Sequence, residues 1–174
     1  MGKQLPVQAL QESEQQYHTL FDNVFDGVFR TTPDGKILTA NSALVRILGF
    51  ESKAQLLNVD IKSLYANPED RKELTRRLEE EGEIRNAELT LRRRDGERVI
   101  VLENARVVKG ETDSILYYEG TLTDITERKI AEDALQQSIR FMEELIMDAG
   151  EGIVAYDLDL RHVVWNPFME RLRS

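Results

Sequence analysis

DGVFRTTPDGKILTAN, residues 26–41, reads as a hairpin with a helix start behind it. β-Forming residues run from Gly27 to Thr32 and again from Lys36 to Ala40. Between them stand Pro33, which presets its own φ, and Gly35, which tolerates positive φ. The pattern returns without a gap as EGIVAYDLDLRHVVWN at 151–166, displaced by 125 residues from Gly27 to Gly152. Asp34 then matches Asp159 and Asn41 matches Asn166, while Leu20 upstream meets Leu145 and Arg46 downstream meets Arg171. Amphipathic hairpins look alike by pattern alone. This repeat also carries the preceding helix and the following Asn, which favours a tandem arrangement. The second copy covers only about 25 residues, too few for a core of its own. Either the sequence is cut from a longer chain or the stub packs on another body.

Outward from the hairpin, residues 8–23 are good helix formers with Leu10, Tyr17, Leu20, Phe21 and Val24 near one face. The spacing predicts an amphipathic helix within 1–24. Residues 41–66 form short helical patches broken by Gly49, offering Leu44, Ile47, Leu48, Leu56, Leu57 and Leu64 for burial. NPEDRKELTRRLEEEG follows with Asn67 as cap, Pro68 at the first helical position, Glu69 and Asp70 at the positive end of the dipole and Gly82 as terminator. A long hairpin then alternates Ala87, Leu89 and Leu91 with polar residues, turns at Asp95-Gly96 and resumes at Val99 and Val101. SILYYEGTLTDI, 114–125, supplies a further strand in which Gly120 marks a bulge or a close approach. The count is five strands, with the helical insertion between the second and third.

TLTDITERKIAEDAL, 121–135, leaves that strand and enters a helix with almost no loop. Asp124 and Glu127 have capping-box spacing. Beyond them Leu135, Ile139, Met142, Ile146 and Ala149 fall at steps of 4, 3, 4 and 3, a seam that wants a partner helix. Two heptads are marginal in water, so docking or dimerisation has to hold this linker at 127–148. The expected division is a helix at 1–24, a domain at 14–126, the linker, and a truncated second domain at 149–174.

With 23 Lys and Arg against 32 Asp and Glu, the net charge of −9 speaks against a nucleic-acid or anionic-membrane surface. The one basic run, Arg92-Arg93-Arg94, reads as the solvated end of a hairpin. No cysteine is present, which rules out disulfides, thiolate nucleophiles and Cys-ligated metals. There is no apolar core of a signal peptide and no run of about 18 apolar residues. A cytoplasmic location is the default expectation, with a membrane anchor elsewhere in the parent chain left open. Phosphate-binding glycine loops, paired His ligands and a kinase phosphoacceptor His are all missing, so no enzyme is expected in these residues.

Four features together resemble the PAS sensor family with its C-terminal PAC motif: DGVFRTTPDGKILTAN ending in Asn41, LGF at 48–50, NPEDR at 67–71 and DITERK at 124–129. The second copy resembles the opening of another PAS domain. The resemblance implies an α+β fold, a five-stranded antiparallel sheet in order 2-1-5-4-3 with helices over one face enclosing a pocket. Asn67 departs from the His that many relatives carry before the Pro, but caps a helix equally well. Relatives that bind haem offer a histidine from the long helix, and none lies between His18 and His162, so His-ligated haem is not expected. Without cysteine a cysteinyl-flavin adduct is impossible. The cofactor stays unknown: non-covalent flavin, a small metabolite or a filled core are all open. Tyr65, Asn104, Tyr117 and Tyr118 are the candidates for pocket lining, against the alternative that they pack in the core or on the sheet.

What the resemblance implies for function is a sensory, signal-transducing fragment of a multidomain protein, foremost a two-component sensor histidine kinase. Its output domain lies further along the chain. Asp124, as hinge, and Thr126, Leu135, Ile139, Met142 and Ile146 are the expected relay residues, and a homodimer through the N-terminal and linker helices is the expected assembly. The alternatives are a ligand-free dimerisation or scaffold module, or the sensor part of a cyclic-dinucleotide enzyme or transcription regulator.

Overall fold

Val99, Val101, Glu103 and Ala105 are buried, and Ile100, Leu102 and Asn104 between them are half-buried. That period of two gives the strand carrying them an inner and an outer face. It is the fourth strand of a five-stranded sheet in a computed structural model that describes residues 15, 16 and 19–169. The strands are β1 (Gly27–Thr31), β2 (Ile37–Ala40), β3 (Glu83–Arg92), β4 (Arg98–Lys109) and β5 (Ile115–Asp124). They pair antiparallel in the order β2-β1-β5-β4-β3, so the last strand lies in the middle of the sheet. The α+β architecture and strand order are those expected.

Helices α1 (Ser42–Ile47), α2 (Lys53–Leu57) and α3 (Pro68–Glu81), with a 3-10 turn at Ile61–Leu64, cover the inner face. α1 packs on β1, α2 on β2, and α3 against β3 and β4. Capping explains where α3 begins and ends. The Asn67 carboxamide accepts from the Glu69 N–H at 3.2 Å, Pro68 fills the first position and Gly82 closes the helix at φ 82°. Leu44, Leu48, Leu56, Leu64, Leu74 and Leu78 bring the helices into one core with Ile37, Val99, Val101 and Leu122 of the sheet. Ile47 and Leu57 are only partly buried against it.

Two local expectations resolve here. Gly120 is a close approach and not a bulge, because its register with Phe29 and Ala105 is unbroken. A Cβ there would run into the Asn104 carbonyl and the Phe29 ring. One of the sheet's three register shifts lies at Ile84/Ala87, where Asn86 takes φ 54° and its N–H donates to Asn104 Oδ1 at 2.9 Å.

The chain divides into two units, residues 1–126 and 127–174. The expected N-terminal helix is described at 15, 16 and 19–23; Leu10, Tyr17 and His18 lie outside the described residues. The second unit begins within α4 (Thr126–Asp148), which has no buried side chain, and continues into a hairpin of β6 (Val154–Tyr156) and β7 (His162–Trp165).

That hairpin repeats the first one bond for bond. Thr32 N–H donates to Lys36 O at 2.9 Å, and Asp157 N–H to Arg161 O at 2.9 Å. Gly35 N–H donates to Thr32 O at 3.0 Å, and Leu160 N–H to Asp157 O at 3.1 Å. Leu160 even takes the positive φ, 61°, that Gly35 takes at 107°. Arg171 and the His162 side chain lie outside the described residues.

Candidate functional site

Three groups of polar side chains stand out on this frame. The first is at the exit from β5. Asp124, the last strand residue, accepts from the Thr126 N–H through Oδ1 at 2.9 Å, and its Oδ2 pairs with Arg93 Nη2 at 2.8 Å. The Thr126 hydroxyl accepts from the Ile100 N–H at 3.0 Å, and the Ile125 N–H donates to the Ile100 carbonyl at 2.9 Å. The chain thus keeps its ladder to β4 for two residues past the strand while α4 is already starting. Both charged partners at Arg93 and Asp124 are partly exposed, so the ion pair orients the junction more than it stabilises the fold. The basic run is therefore not simply a solvated hairpin end. Arg93 holds Asp124 and Arg94 holds Glu51 at 2.6 Å, the latter carboxyl lowered by its hydrogen bond to Gln55 and by Arg94.

The second group is a clamp around Asn41, which is fully buried. Its Oδ1 accepts from Val28 N–H at 2.9 Å and Leu44 N–H at 3.0 Å. Its Nδ2 donates to the carbonyls of Phe21 at 3.0 Å and Asp26 at 2.9 Å. One carboxamide thereby ties the N-terminal helix to β1 and α1. The Asp26 carboxylate extends the tie to the exit strand by accepting from the Thr123 hydroxyl at 2.7 Å. Asn166, also fully buried, repeats all four bonds, to Ile153 N–H, Met169 N–H, Glu151 O and Ile146 O. Ile146 belongs to α4, so the end of α4 is held as the end of the N-terminal helix is.

The third group is inside. Glu103 sits in the inward row of β4 between Val101 and Ala105, 3% exposed, and accepts from the Tyr65 hydroxyl at 3.4 Å. Burial pushes its carboxyl up to about 7, against the pull of Arg71. Burial also raises the Tyr65 hydroxyl and lifts Tyr118 to about 12. The Arg71 guanidinium lies 5.7 Å from the Tyr65 ring and 5.8 Å from the Tyr118 ring, within cation–π range. The Tyr118 hydroxyl donates to Glu79 at 2.8 Å.

Of the four residues expected at a pocket, Tyr65 and Tyr118 meet in this interior group. Asn104 and Tyr117 stand on the opposite, outer face. Tyr117 lies under Arg30 at 4.9 Å, and Arg30 and Arg106 converge on Glu119, whose carboxyl they lower, chiefly through Arg106. A cavity of about 380 Å³ opens on that face beside Phe21, Val28, Asn104 and Thr121. Of the residues expected to relay, Leu135, Ile139 and Met142 are all exposed on α4, and Ile146 is half-buried. Sequence reasoning missed Glu103 and Arg71. The available signal was parity, since Glu103 shares the alternation of Val99, Val101 and Ala105. Among the described residues no cluster of three His, Cys, Asp or Glu could hold a metal, and no helix is long and apolar enough to cross a membrane.

Comparison with known families matches the PAS domain over residues 26–127, more than half of the chain. The chain belongs to the PAS domain family. A comparison with curated protein sequences gives no match. Among solved structures, a PAS domain from Colwellia psychrerythraea is 25% identical, with a TM-score of 0.57 over 65% of this chain and 97% of that one. The PAS domain of an HTR-like protein from Haloarcula marismortui is 20% identical, with a TM-score of 0.56 over 71% and 100%. A domain of the sensory box sensor histidine kinase/response regulator from Geobacter sulfurreducens is 21% identical, with a TM-score of 0.53 over 66% and 96%.

Proposed function

We propose that this PAS sensory domain relays a change in its core through α4 to an output domain of the same multidomain signalling protein, and that it works as a homodimer. The observation that carries the reading is a helix joined without a loop to the central strand. Its first residue is bonded to β4 through Thr126, and its far end is gripped by Asn166. A shift of β5 or β4 reaches α4 through Asp124 and Thr126, the former acting as hinge. The hairpin at 149–169 is the start of a second PAS domain and receives the movement. Residues 127–148 are the linker between the two.

Dimerisation is the simplest fate of the linker surface. Leu135 and Ile139 are 62% and 49% exposed at heptad spacing, and Phe141, Met142, Leu145 and Met147 are exposed beside them. Leu20 and Phe25 near the N-terminal helix add to the apolar surface available for pairing. A sensor histidine kinase stands first among output classes because the Geobacter relative and another PAS relative come from proteins named as such.

Ile139→Glu is the test. Native mass spectrometry should give a dimer for the unaltered chain and a monomer for the variant, with the circular dichroism of the PAS core unchanged. In the parent protein the same substitution should alter output by about tenfold, the effect of a coupling of 1–3 kcal/mol. A dimer that survives the substitution, with output unmoved, rules α4 out as the transmitter.

A further inference from the structure

Among the described residues, Arg71 and Glu103 are the two buried side chains of charged type, and they are not bonded to each other. Arg71, on α3, is 7% exposed, and its Nη2 reaches neither solvent nor a hydrogen-bond partner. Glu103, on β4, accepts one long bond, 3.4 Å, from the Tyr65 hydroxyl. A guanidinium keeps its charge at every pH a protein meets, so a buried idle donor on it is a standing cost. Because no solvent reaches that donor, only a group of the protein can relieve it. Glu103 can do so by losing its proton, since a carboxylate has acceptor sites that the neutral acid lacks. The other groups of the interior do not serve. From α3, Glu79 is taken by the Tyr118 hydroxyl at 2.8 Å. Tyr65, behind the 3-10 turn, and Tyr118, on β5, are both held protonated by burial. The strands on either side set Ala87 and Leu122 against Glu103, and the buried Thr31 and Asn41 do not titrate.

We infer that the proton is the input this core reads: Glu103 passes between a neutral form held by Tyr65 and a charged form that also takes the Arg71 Nη2 donor, and the change of pairing moves α3 against β4. The proton is exchanged with bulk water. Burial places the exchange near neutrality by lifting the carboxyl to about 7, against the pull of Arg71 and the Tyr65 bond. Both strands touched by the change lead to the exit. Glu103 lies on β4, whose Ile100 N–H donates to the Thr126 hydroxyl. The Tyr118 ring, 5.8 Å from the Arg71 guanidinium, lies on β5, which ends at Asp124. The assignment rests on the sensory reading and names its stimulus.

The experiment is a pH titration of the whole purified chain by NMR, following the side-chain carboxyl carbons of the glutamates, the Arg71 Nε–H and the backbone amides. The Glu103 carboxyl, assigned by its loss in Glu103→Gln, should titrate with a midpoint near 7. The Arg71 Nε–H and the amides of Ile100 and Thr126 should move with that same midpoint. In Glu103→Gln these movements should vanish, while His18 and His162, which titrate in the same range, go on titrating. Arg71→Met should raise the Glu103 midpoint by about one unit, because it removes the attraction that favours the charged form. Should Arg71→Met fail to fold, Tyr65→Phe, which removes the hydroxyl that favours the carboxylate, should raise the midpoint as well. The proposal is overturned if Glu103 titrates in the ordinary carboxylate range, or if its midpoint is unmoved in whichever of these two variants folds. It is equally overturned if the Ile100 and Thr126 amides stay still as Glu103 titrates, or move alike in Glu103→Gln. None of these results bears on the α4 dimer, which Ile139→Glu tests separately.

Discussion

Asn41→Ala is expected to lower the unfolding free energy of the chain by about 3–5 kcal/mol, a large part of what a domain of this size possesses. The substitution leaves two N–H groups, of Val28 and Leu44, and two carbonyls, of Phe21 and Asp26, without their partner at a site closed to solvent. Each such orphaned group costs about 1–3 kcal/mol, and partial relaxation keeps the sum below the maximum. Asn41→Asp should be nearly as damaging, since it keeps an acceptor for the two N–H groups but sets a carboxylate oxygen against two carbonyls. The exposed helix cap makes the contrast: Asn67→Ala should cost about 1 kcal/mol. Urea unfolding followed by circular dichroism measures all three. A loss under 1 kcal/mol for Asn41→Ala would mean that the clamp does not tie the N-terminal helix to the sheet.

The second large effect is a pH dependence located at Glu103. Its carboxyl is raised from 4.5 to about 7 by burial, so below pH 4.5 it is neutral in both the folded and unfolded chain. As pH rises the unfolded chain releases its proton first and the folded chain holds it. Stability contributed by this group is therefore lost between about 4.5 and 7 and is constant above. The total is about 3 kcal/mol, most of it between pH 5 and pH 8. The charged and titratable groups around it are Arg71, whose attraction opposes the shift, and Tyr65, which stays protonated throughout. Glu103→Gln keeps the shape and removes the titration. The wild-type chain should lose about 2–3 kcal/mol more than this variant between the two pH values in urea unfolding. Equal losses would show that Glu103 is ionised in the folded state across the whole range.

The two predictions rest on residues that were legible in the sequence to different degrees. Asn41 was visible because the repeat aligned it with Asn166, and its role as a helix start was a local pattern. The caps of α3 and the turns at Gly35 and Gly96 are likewise local, set by φ preferences and side chains one to three residues away. Strand order was not readable from the residues themselves; it came with the family resemblance, since antiparallel alternation allows many orders. The pairing of Arg93 with Asp124 joins positions 31 apart, and nothing in either neighbourhood announces it.

The pocket candidates show the same limit. Tyr117 and Tyr118 are adjacent in one strand, so only one of them could face inward, and parity with Val99 and Val101 already set Asn104 outward. Glu103 was hidden because a carboxylate among apolar residues looks like a solvated one until the partner strand and α3 are in place. The linker seam was legible as spacing, but a helix shows only that it wants a partner.

The central claim, that the state of the core sets the packing of α4, is tested most directly by the distance between two copies of the linker. The chain has no cysteine, so Gln137→Cys, at an exposed position of α4, accepts a single spin label. Double electron–electron resonance on the labelled dimer should give two inter-copy distances whose populations shift between the wild-type core and Glu103→Gln, and between pH 5 and pH 8 in the wild type alone. One unchanging distance under all these conditions, or no inter-copy distance at all, would contradict the relay.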